Sequence, residues 1–368
     1  MPSLPNSDLE EITRGGFADL KSLAGGHLLL TGASGFFGRW LVSSFLHANR
    51  TLGLRARCTA IARRAVRLRE EDPLLAADAA LELVDADVRT WVPPGGASFT
   101  HVIHAAASAG TPAPSIGRDE MLATVVDGTR NVLSLCRSFR PARVLFTSSG
   151  AVYGRQPVDL DRITEDYCGG PDPAHPDSTY AEAKRLAENC CAIAAADHGV
   201  PVSIARGFAF AGPLVPLDAH FAFGNFIADA LSHRTIVVRG DGTPFRSYLY
   251  ASDLVRWLWA LLARAPVGRA YNVGSDLATS IAELAHSIAR TAGVDVEIRG
   301  IPTPGRTPDR YVPSIDRARR ELGLDVSVDL ATAVDRTLSW YISQPRKSSG
   351  PRSGAGDVSS KEVPEWRP

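Results

Sequence analysis

Thr31-Gly32-Ala33-Ser34-Gly35-Phe36-Phe37-Gly38 decides the fold. The octet follows a short apolar run, HLLL (27–30), and leads into RWLVSSFL (39–46). Its glycines are spaced G-x-x-G-x-x-G. A tight strand-to-helix turn needs a residue that tolerates positive φ, and a pyrophosphate needs backbone N–H groups unshielded by side chains. The helix that follows points its positive end at the phosphates. Gly32, Ser34, Gly35, Phe36, Phe37 and Gly38 are therefore the expected contacts to a dinucleotide. In a chain with 32 glycines the triplet alone says little. The strand before it and the helix after it give it weight, against the alternative of a tight turn with no ligand.

The same texture continues outward. CTAIA (58–62), ALELV (80–84), HVIH (101–104), RVLFT (143–147) and VSIA (202–205) are short apolar runs. Between them, residues 121–137 put Leu122, Val125, Val126, Thr129, Val132 and Leu133 at helical spacing, and residues 180–197 are Ala-rich and helical. Near-continuous apolar strands alternating with helices predict a parallel sheet covered on both faces. The fold class is α/β: a Rossmann-type doubly wound sheet over residues 25–205. After Arg206, Gly and Pro are frequent, and strand and helix candidates mix at 225–232, 235–238, 254–263, 281–292 and 317–322. This predicts a smaller C-terminal substrate-binding domain over 206–343, with segments returning to the sheet. Residues 1–24 read as an N-terminal extension with a short helix near 17–23. Residues 344–368, rich in Ser, Gly, Pro and charge, read as a disordered tail.

Composition excludes several classes. The 368 residues carry 40 Lys+Arg against 40 Asp+Glu, so neither a basic nucleic-acid platform nor an acidic tail protein is expected. No apolar run nears the roughly 20 residues of a membrane span. The acidic, Pro-containing start is not expected to be a signal peptide. Five cysteines at irregular spacing, with no C-x-x-C, predict neither a disulfide framework nor a metal site, and fit a reducing cytoplasm.

Around the turn, further cofactor contacts are expected. An acid at the end of the second strand binds the adenosine ribose in NAD sites. Here Arg63 and Arg64 follow Ala62 instead. A guanidinium suits a 2′-phosphate, which favours NADP over NAD; the alternative is a solvated arginine pair. Asp87 and Val88 could meet the adenine edge. Ala105, Ala106 and Ala107 are small enough to let a cofactor approach.

Lysine usage singles out one catalytic candidate. The four lysines are Lys21, Lys184, Lys347 and Lys361; every other basic residue is arginine. Lys184 follows Tyr180 at i+4, on one helix face. A phenol with a pKa near ~10 is a poor base at neutral pH. A neighbouring ammonium and an oxidised nicotinamide are expected to lower that value, so that phenol and carbinol exchange a proton. Ser149, in TSSG (147–150), would hold the substrate oxygen.

Together, TGASGFFG, DADV, HAAA, DGTRNVL, FTSSGAVYG, YAEAK, RGFAFAGP, RGDGTPFRSYLYASDLV and YNVGS resemble the extended short-chain dehydrogenase/reductases, specifically the NAD-dependent nucleotide-sugar epimerase/dehydratase family. The likeness implies Ser149, Tyr180 and Lys184 as catalytic triad and Pro213 beside the nicotinamide. It implies a nucleoside-diphosphate sugar as substrate, with Asn225, Arg246 and Arg306 at its diphosphate, and a homodimer built on the helices near 121–137 and 180–197. There are departures. Dehydratases of the family carry Asp-Glu where Gly150 and Ala151 stand, which counts against 4,6-dehydration. Val125 replaces an Asn of the proton relay, and Ala209 another Asn.

The expected reaction is oxidation of a sugar hydroxyl, at C4, to a ketone, followed by return of the hydride, with epimerisation as the outcome. Three alternatives stay open: an NADPH-dependent 4-keto-sugar-nucleotide reductase, a lyase that dispenses with the Asp-Glu pair, and a dinucleotide-sensing module without catalysis.

Overall fold

The computed structural model describes residues 3–107, 117–217 and 221–344. The tail expected from residue 344 onward lies outside these residues, Gln344 apart.

Seven parallel strands form the central sheet. They are β1 (His27–Thr31), β2 (Arg57–Ala62), β3 (Leu81–Asp85), β4 (His101–His104), β5 (Arg143–Ser149), β6 (Val202–Gly207) and the Ala270–Val273 strand. Their order is Ala270–Val273, β6, β5, β4, β1, β2, β3. The chain moves outward from β1 in one direction and then, from β4, in the other. The switch lies between β1 and β4, where Thr31 pairs with His104, and the crevice at the carboxyl ends of these strands is the natural ligand site.

Strand side chains alternate between faces. Leu28 and Leu30 enter one core with Trp40 and Phe45 of the Phe36–Thr51 helix and with Trp257 and Leu258 of the Ala251–Arg264 helix. Leu29 enters the other core with Val125 and Val132 of the Arg118–Phe139 helix and Ala183 and Ala187 of the Thr179–His198 helix. Burial on both faces is why these strands read as unbroken apolar runs. The Thr179–His198 helix stops at Gly199, which has φ 66°.

A third core lies beyond β6. The Ala222–Leu231, Ile281–Ala292 and Leu330–Ile342 helices pack around Phe223, Ile227, Leu284, Ile288, Val334 and Leu338. The Ile281–Ala292 helix begins with a reciprocal Ser280–Glu283 capping box.

The N-terminal residues do not stand apart as an extension. Two helices, Asn6–Gly15 and Phe17–Lys21, bury Leu9, Ile12 and Leu20 in the first core. Asp8, fully buried, accepts hydrogen bonds from the Tyr250 hydroxyl (2.7 Å) and Arg336 Nη1 (2.8 Å). Arg336 also pairs with Glu11, and Trp340 Nε1 donates to the Ser3 carbonyl. These helices therefore tie the Leu330–Ile342 helix to the sheet.

Candidate active site

The turn after β1 has the geometry of a phosphate cradle. Gly32 has φ 80°, and a Cβ there would stand 2.5 Å from the Ala105 carbonyl oxygen. A Cβ on Gly38 would stand 2.2 Å from the Gly32 carbonyl oxygen. A Cβ on Gly35, by contrast, would meet only the Gly32 oxygen, at an ordinary contact distance of 3.4 Å. The Phe36–Thr51 helix has no side-chain cap and no acid in its first turn, so its N–H groups and positive end face the cleft unneutralised. Ser148 Oγ, buried in the cleft wall, has no hydrogen-bond partner among the described residues. An unshielded turn, an uncapped helix and a waiting hydroxyl fit a dinucleotide.

One cleft of about 1300 Å³ runs from this turn into the third core. Gly32, Gly35, Phe36, Phe37, Gly38, Ala105, Ala107, Ser149, Tyr180, Lys184, Asn225, Arg246 and Arg306 all line it. The sequence thus named residues from both ends of one cavity.

Other expected contacts are placed differently. Ser34 is exposed at the turn, outside the cleft lining, and Ala106 turns its N–H to Thr31 Oγ1. Arg63 is engaged by Glu120 at 2.7 Å, whereas Arg64 is exposed and has no ion pair among the described residues. The carboxylate opposite Ala62 is Asp85 of β3, which caps Val66 N and pairs with Arg69. Asp87 pairs with Arg89, which holds its carboxyl below the usual range. The Val88 side chain is buried, and a Cβ on Gly128 would stand 2.9 Å from its Cγ1. Pro213 is buried outside the lining, its carbonyl accepting from Trp40 Nε1 at 2.9 Å.

The catalytic candidates meet where β5 ends. Ser149 closes that strand, and its Oγ accepts from Ala151 N at 3.2 Å. Tyr180 and Lys184 lie one turn apart on the Thr179–His198 helix. Lys184 is buried; its Nζ donates to the Thr147 carbonyl at 2.7 Å and lies 4.8 Å from the Phe146 ring centroid and 6.0 Å from that of Tyr180. Burial lowers its pKa to about 8, against an opposing pull from Glu188. Among this chain's own groups, burial dominates and raises the Tyr180 pKa, with a hydrogen bond from Ser149 the one opposing influence. One of the three ammonium protons goes to the Thr147 carbonyl.

Beneath the cleft, His104 joins β4 to the Arg118–Phe139 helix. Ala106 N donates to Thr31 Oγ1, and Thr31 Oγ1 meets His104 Nδ1 at 2.7 Å. His104 Nε2 meets Thr129 Oγ1 at 3.1 Å, and Thr129 donates to the Val125 carbonyl at 2.6 Å. Because Thr129 has committed its proton, its oxygen must accept, so Nε2 carries the imidazole proton. Burial first, then the Lys184 charge, lowers the His104 pKa to about 3, so the ring is neutral. The backbone carbonyl of Val125 thus ends this hydrogen-bond chain.

Sequence reasoning missed Tyr311 and Phe208 as site residues. Both line the cleft, their ring centroids 4.7 Å apart, and a Cβ on Gly150 would stand 2.6 Å from Tyr311 Oη and 2.8 Å from Phe208 Cζ. Phe208 lay within RGFAFAGP; Tyr311 stands five residues beyond Arg306, with no local pattern to mark it. Among the described residues no cluster of His, Cys, Asp or Glu suits a metal ion, and no helix is long and apolar enough to cross a membrane.

A doubly wound sheet, a glycine turn open to phosphates and a Ser–Tyr–Lys group at the switch-point crevice define a dinucleotide-dependent short-chain dehydrogenase/reductase architecture. Residues 28–274 match the model of the NAD dependent epimerase/dehydratase family, and the chain belongs to that family. It is 32% identical over 260 residues to UDP-glucuronic acid decarboxylase 1 of Xenopus tropicalis, covering 71% of this chain and 60% of the relative. It is 35% identical over 207 residues to UDP-glucuronic acid decarboxylase 6 of Arabidopsis thaliana, covering 56% of this chain and 59% of the relative. The chain thus spans about three-fifths of the length of these curated relatives. Among solved structures, DesIV, a dTDP-glucose 4,6-dehydratase of Streptomyces venezuelae with NAD and TYD bound, superposes with TM-score 0.72 and 25% identity, covering 86% of this chain and 97% of that one. A UDP-glucuronic acid 4-epimerase of Bacillus cereus, in complex with UDP-glucuronic acid and NAD, gives TM-score 0.70 at 21% identity, covering 85% of this chain and 98% of that one.

Proposed function

We propose that this chain is an NAD(P)-dependent enzyme acting on a nucleoside-diphosphate sugar. The observation that carries the reading is one cleft with a phosphate-accepting turn and Ser149–Tyr180–Lys184 along one part of its wall, and Asn225, Arg246 and Arg306 along another. Gly32, Gly35, Phe36, Phe37 and Gly38, with Ala105 and Ala107, would hold the dinucleotide. Arg64, which has no ion pair among the described residues, would meet a 2′-phosphate more readily than Arg63, which pairs with Glu120. When bound, the nicotinamide supplies hydride acceptance from the sugar carbon and hydride return.

The chain's own residues do the proton work. Ser149 would orient the sugar hydroxyl, and Tyr180 would accept its proton as the C4 ketone forms. Lys184, fixed under the phenol by the Thr147 carbonyl, supplies positive charge close to the developing phenolate. Arg246 and Arg306 would neutralise the diphosphate with planar donor forks.

Epimerisation at C4 fits best, because it asks for no acid or base beyond this group and Gly150 and Ala151 offer none. The identity to UDP-glucuronic acid decarboxylases favours a second reading, loss of a carboxylate next to the ketone. A 4-keto uronate is a β-keto acid and sheds carbon dioxide without further catalysis at Gly150 or Ala151. A homodimer is supported by Leu122, Leu186 and Ile193, which stay exposed on the two long helices.

The test is incubation of the purified chain, with NAD or NADP, against a panel of UDP-, dTDP-, GDP- and CDP-sugars, including uronates. Unchanged mass with altered ring couplings identifies epimerisation; loss of carbon dioxide identifies decarboxylation; stoichiometric NADPH consumption identifies a reductase. No turnover of any member, with cofactor bound, overturns the proposal.

A further inference from the structure

The crevice between β1 and β4 stands on a buried imidazole that the chemistry above leaves without a task. His104 closes β4, and its ring is stacked on Phe146 with centroids 5.6 Å apart. Thr31, His104 and Thr129 are all buried. Buried polar groups persist where each finds a partner, so the direction of every bond can be followed here.

Thr129 Oγ1 and the Val125 carbonyl oxygen are 2.6 Å apart, a separation two oxygens keep only with a proton between them, and only Thr129 has one to give. Its oxygen therefore accepts from His104 Nε2–H at 3.1 Å. Nδ1 keeps its lone pair and takes the Thr31 hydroxyl proton at 2.7 Å. The Thr31 Oγ1 in turn accepts from Ala106 N–H at 3.2 Å, and the Thr31 carbonyl accepts from Ala105 N–H, also at 3.2 Å. The side-chain bonds thus run in one direction, from Ala106 through Thr31, His104 and Thr129 to Val125. The opposite tautomer would set the Nε2 lone pair against an oxygen whose proton is already committed.

The upper end of this chain lies at the glycine turn. Gly32 follows Thr31, and a Cβ on it would stand 2.5 Å from the Ala105 oxygen and 2.7 Å from Ala106 N. Gly32, Ala105 and Ala107 line the cleft; Ala106, whose N–H turns inward to Thr31, does not. His104 and Thr129 also stand outside the lining.

We propose that His104 is a positioning residue for the dinucleotide: as the Nε2–H tautomer it braces Thr31, and through Thr31 it holds the Ala105–Ala106 backbone against Gly32 as one rigid wall. This deepens the function proposed above and rests on a dinucleotide occupying that turn. Each bond in such a buried chain polarises the next, so cutting the far end loosens the near one.

The test reads tautomer and affinity separately, in the full chain. Ring 15N NMR of histidine-labelled protein, with the His104 signals assigned by comparison with His104→Asn, should show a protonated Nε2 and an unprotonated Nδ1. Binding of NAD and NADP is then measured by calorimetry in the parent, Thr129→Val, Thr129→Ser and Thr337→Val. Thr337 makes the same kind of bond, to the Ala333 carbonyl at 2.6 Å, in a helix of the third core, so Thr337→Val removes an equivalent bond without touching this chain. Thr129→Val should weaken dinucleotide binding about tenfold, the worth of one buried hydrogen bond. Thr129→Ser should restore it, and Thr337→Val should match the parent. A protonated Nδ1 in the parent overturns the proposal whether or not the variants fold. Parent-like affinity in Thr129→Val overturns it too, as does an equal loss in Thr337→Val, which would mark general loosening. A parent that binds neither dinucleotide overturns the proposed function itself, which separates the two failures.

Discussion

Lys184 Nζ stands 2.7 Å from the carbonyl oxygen of Thr147, two residues before Ser149 on the same strand. The bond pins the Thr179–His198 helix to the end of β5, so the phenol one turn before Lys184 and the hydroxyl two residues after Thr147 are placed by one contact. It also sets the electrostatics. The ammonium is buried, its pKa is lowered to about 8, and Glu188, the carboxylate that raises it, is itself clamped by Arg206.

This makes pH dependence a direct test. The ammonium is lost as pH rises through about 8, so turnover that uses it should fall over that range. Because the folded value lies below the ordinary 10.5, the unfolded chain binds more protons between the two values, and stability should rise with pH across that window. Lys184→Met should abolish both trends, seen in kcat/KM profiles and in denaturation curves at several pH values.

Tyr180→Phe should lower kcat by about 10²–10⁴-fold, the span of one positioned acid–base group, while leaving the fold and dinucleotide binding intact. Single-turnover formation of reduced cofactor, followed by absorbance, measures it. A residual rate near the parent's would assign the proton to another group.

Gly38 and Gly35 should separate folding from binding. Gly38→Ala drives a Cβ to 2.2 Å from the Gly32 carbonyl oxygen, and such backbone overpacking costs about 1–3 kcal/mol or more. Gly35→Ala meets nothing nearer than 3.4 Å, so its thermal midpoint should match the parent's, with its effect confined to dinucleotide affinity. Calorimetry for stability and titration for affinity distinguish them.

The Arg206–Glu188 pair should prove a strong internal tie. Arg206 donates to Glu188 through Nε and Nη2 and to Tyr153 Oη through Nη1, and the two charged side chains are only 17% and 12% exposed. Arg206→Met leaves Glu188 buried without its partner and should cost about 3–5 kcal/mol in urea unfolding. Tyr153→Phe, which loses the hydroxyl bonds to Asn272 and Arg206, should cost about 1–3 kcal/mol.

How far the sequence could be read depends on the range of the interaction. HVIH coincides with β4 because a strand buried on both faces is apolar throughout, and Tyr180–Lys184 was visible because helical spacing is local. The Ala270–Val273 strand went unread as a strand. Its Asn272 is a buried polar residue whose side chain bonds the Ile163 and Ser314 carbonyls, partners more than 40 positions away. The Arg63–Glu120 pair could not be read from the sequence, because its partners are 57 positions apart. That the Val88 side chain packs against Gly128 was not legible either, because the two are 40 positions apart. Tyr311 escaped for the same reason: its place beside Ser149 exists only after the chain has crossed from the third core back to the sheet.

The family match begins at residue 28, yet Asp8 holds Tyr250 and Arg336, and Ile12 and Leu20 are sealed against the Ala251–Arg264 helix. An expression boundary drawn at the family's edge would cut away a clasp. It would uncover an oily groove and strand a guanidinium, and the shortened product would be expected to clump in the test tube even though every group of the proposed chemistry remained.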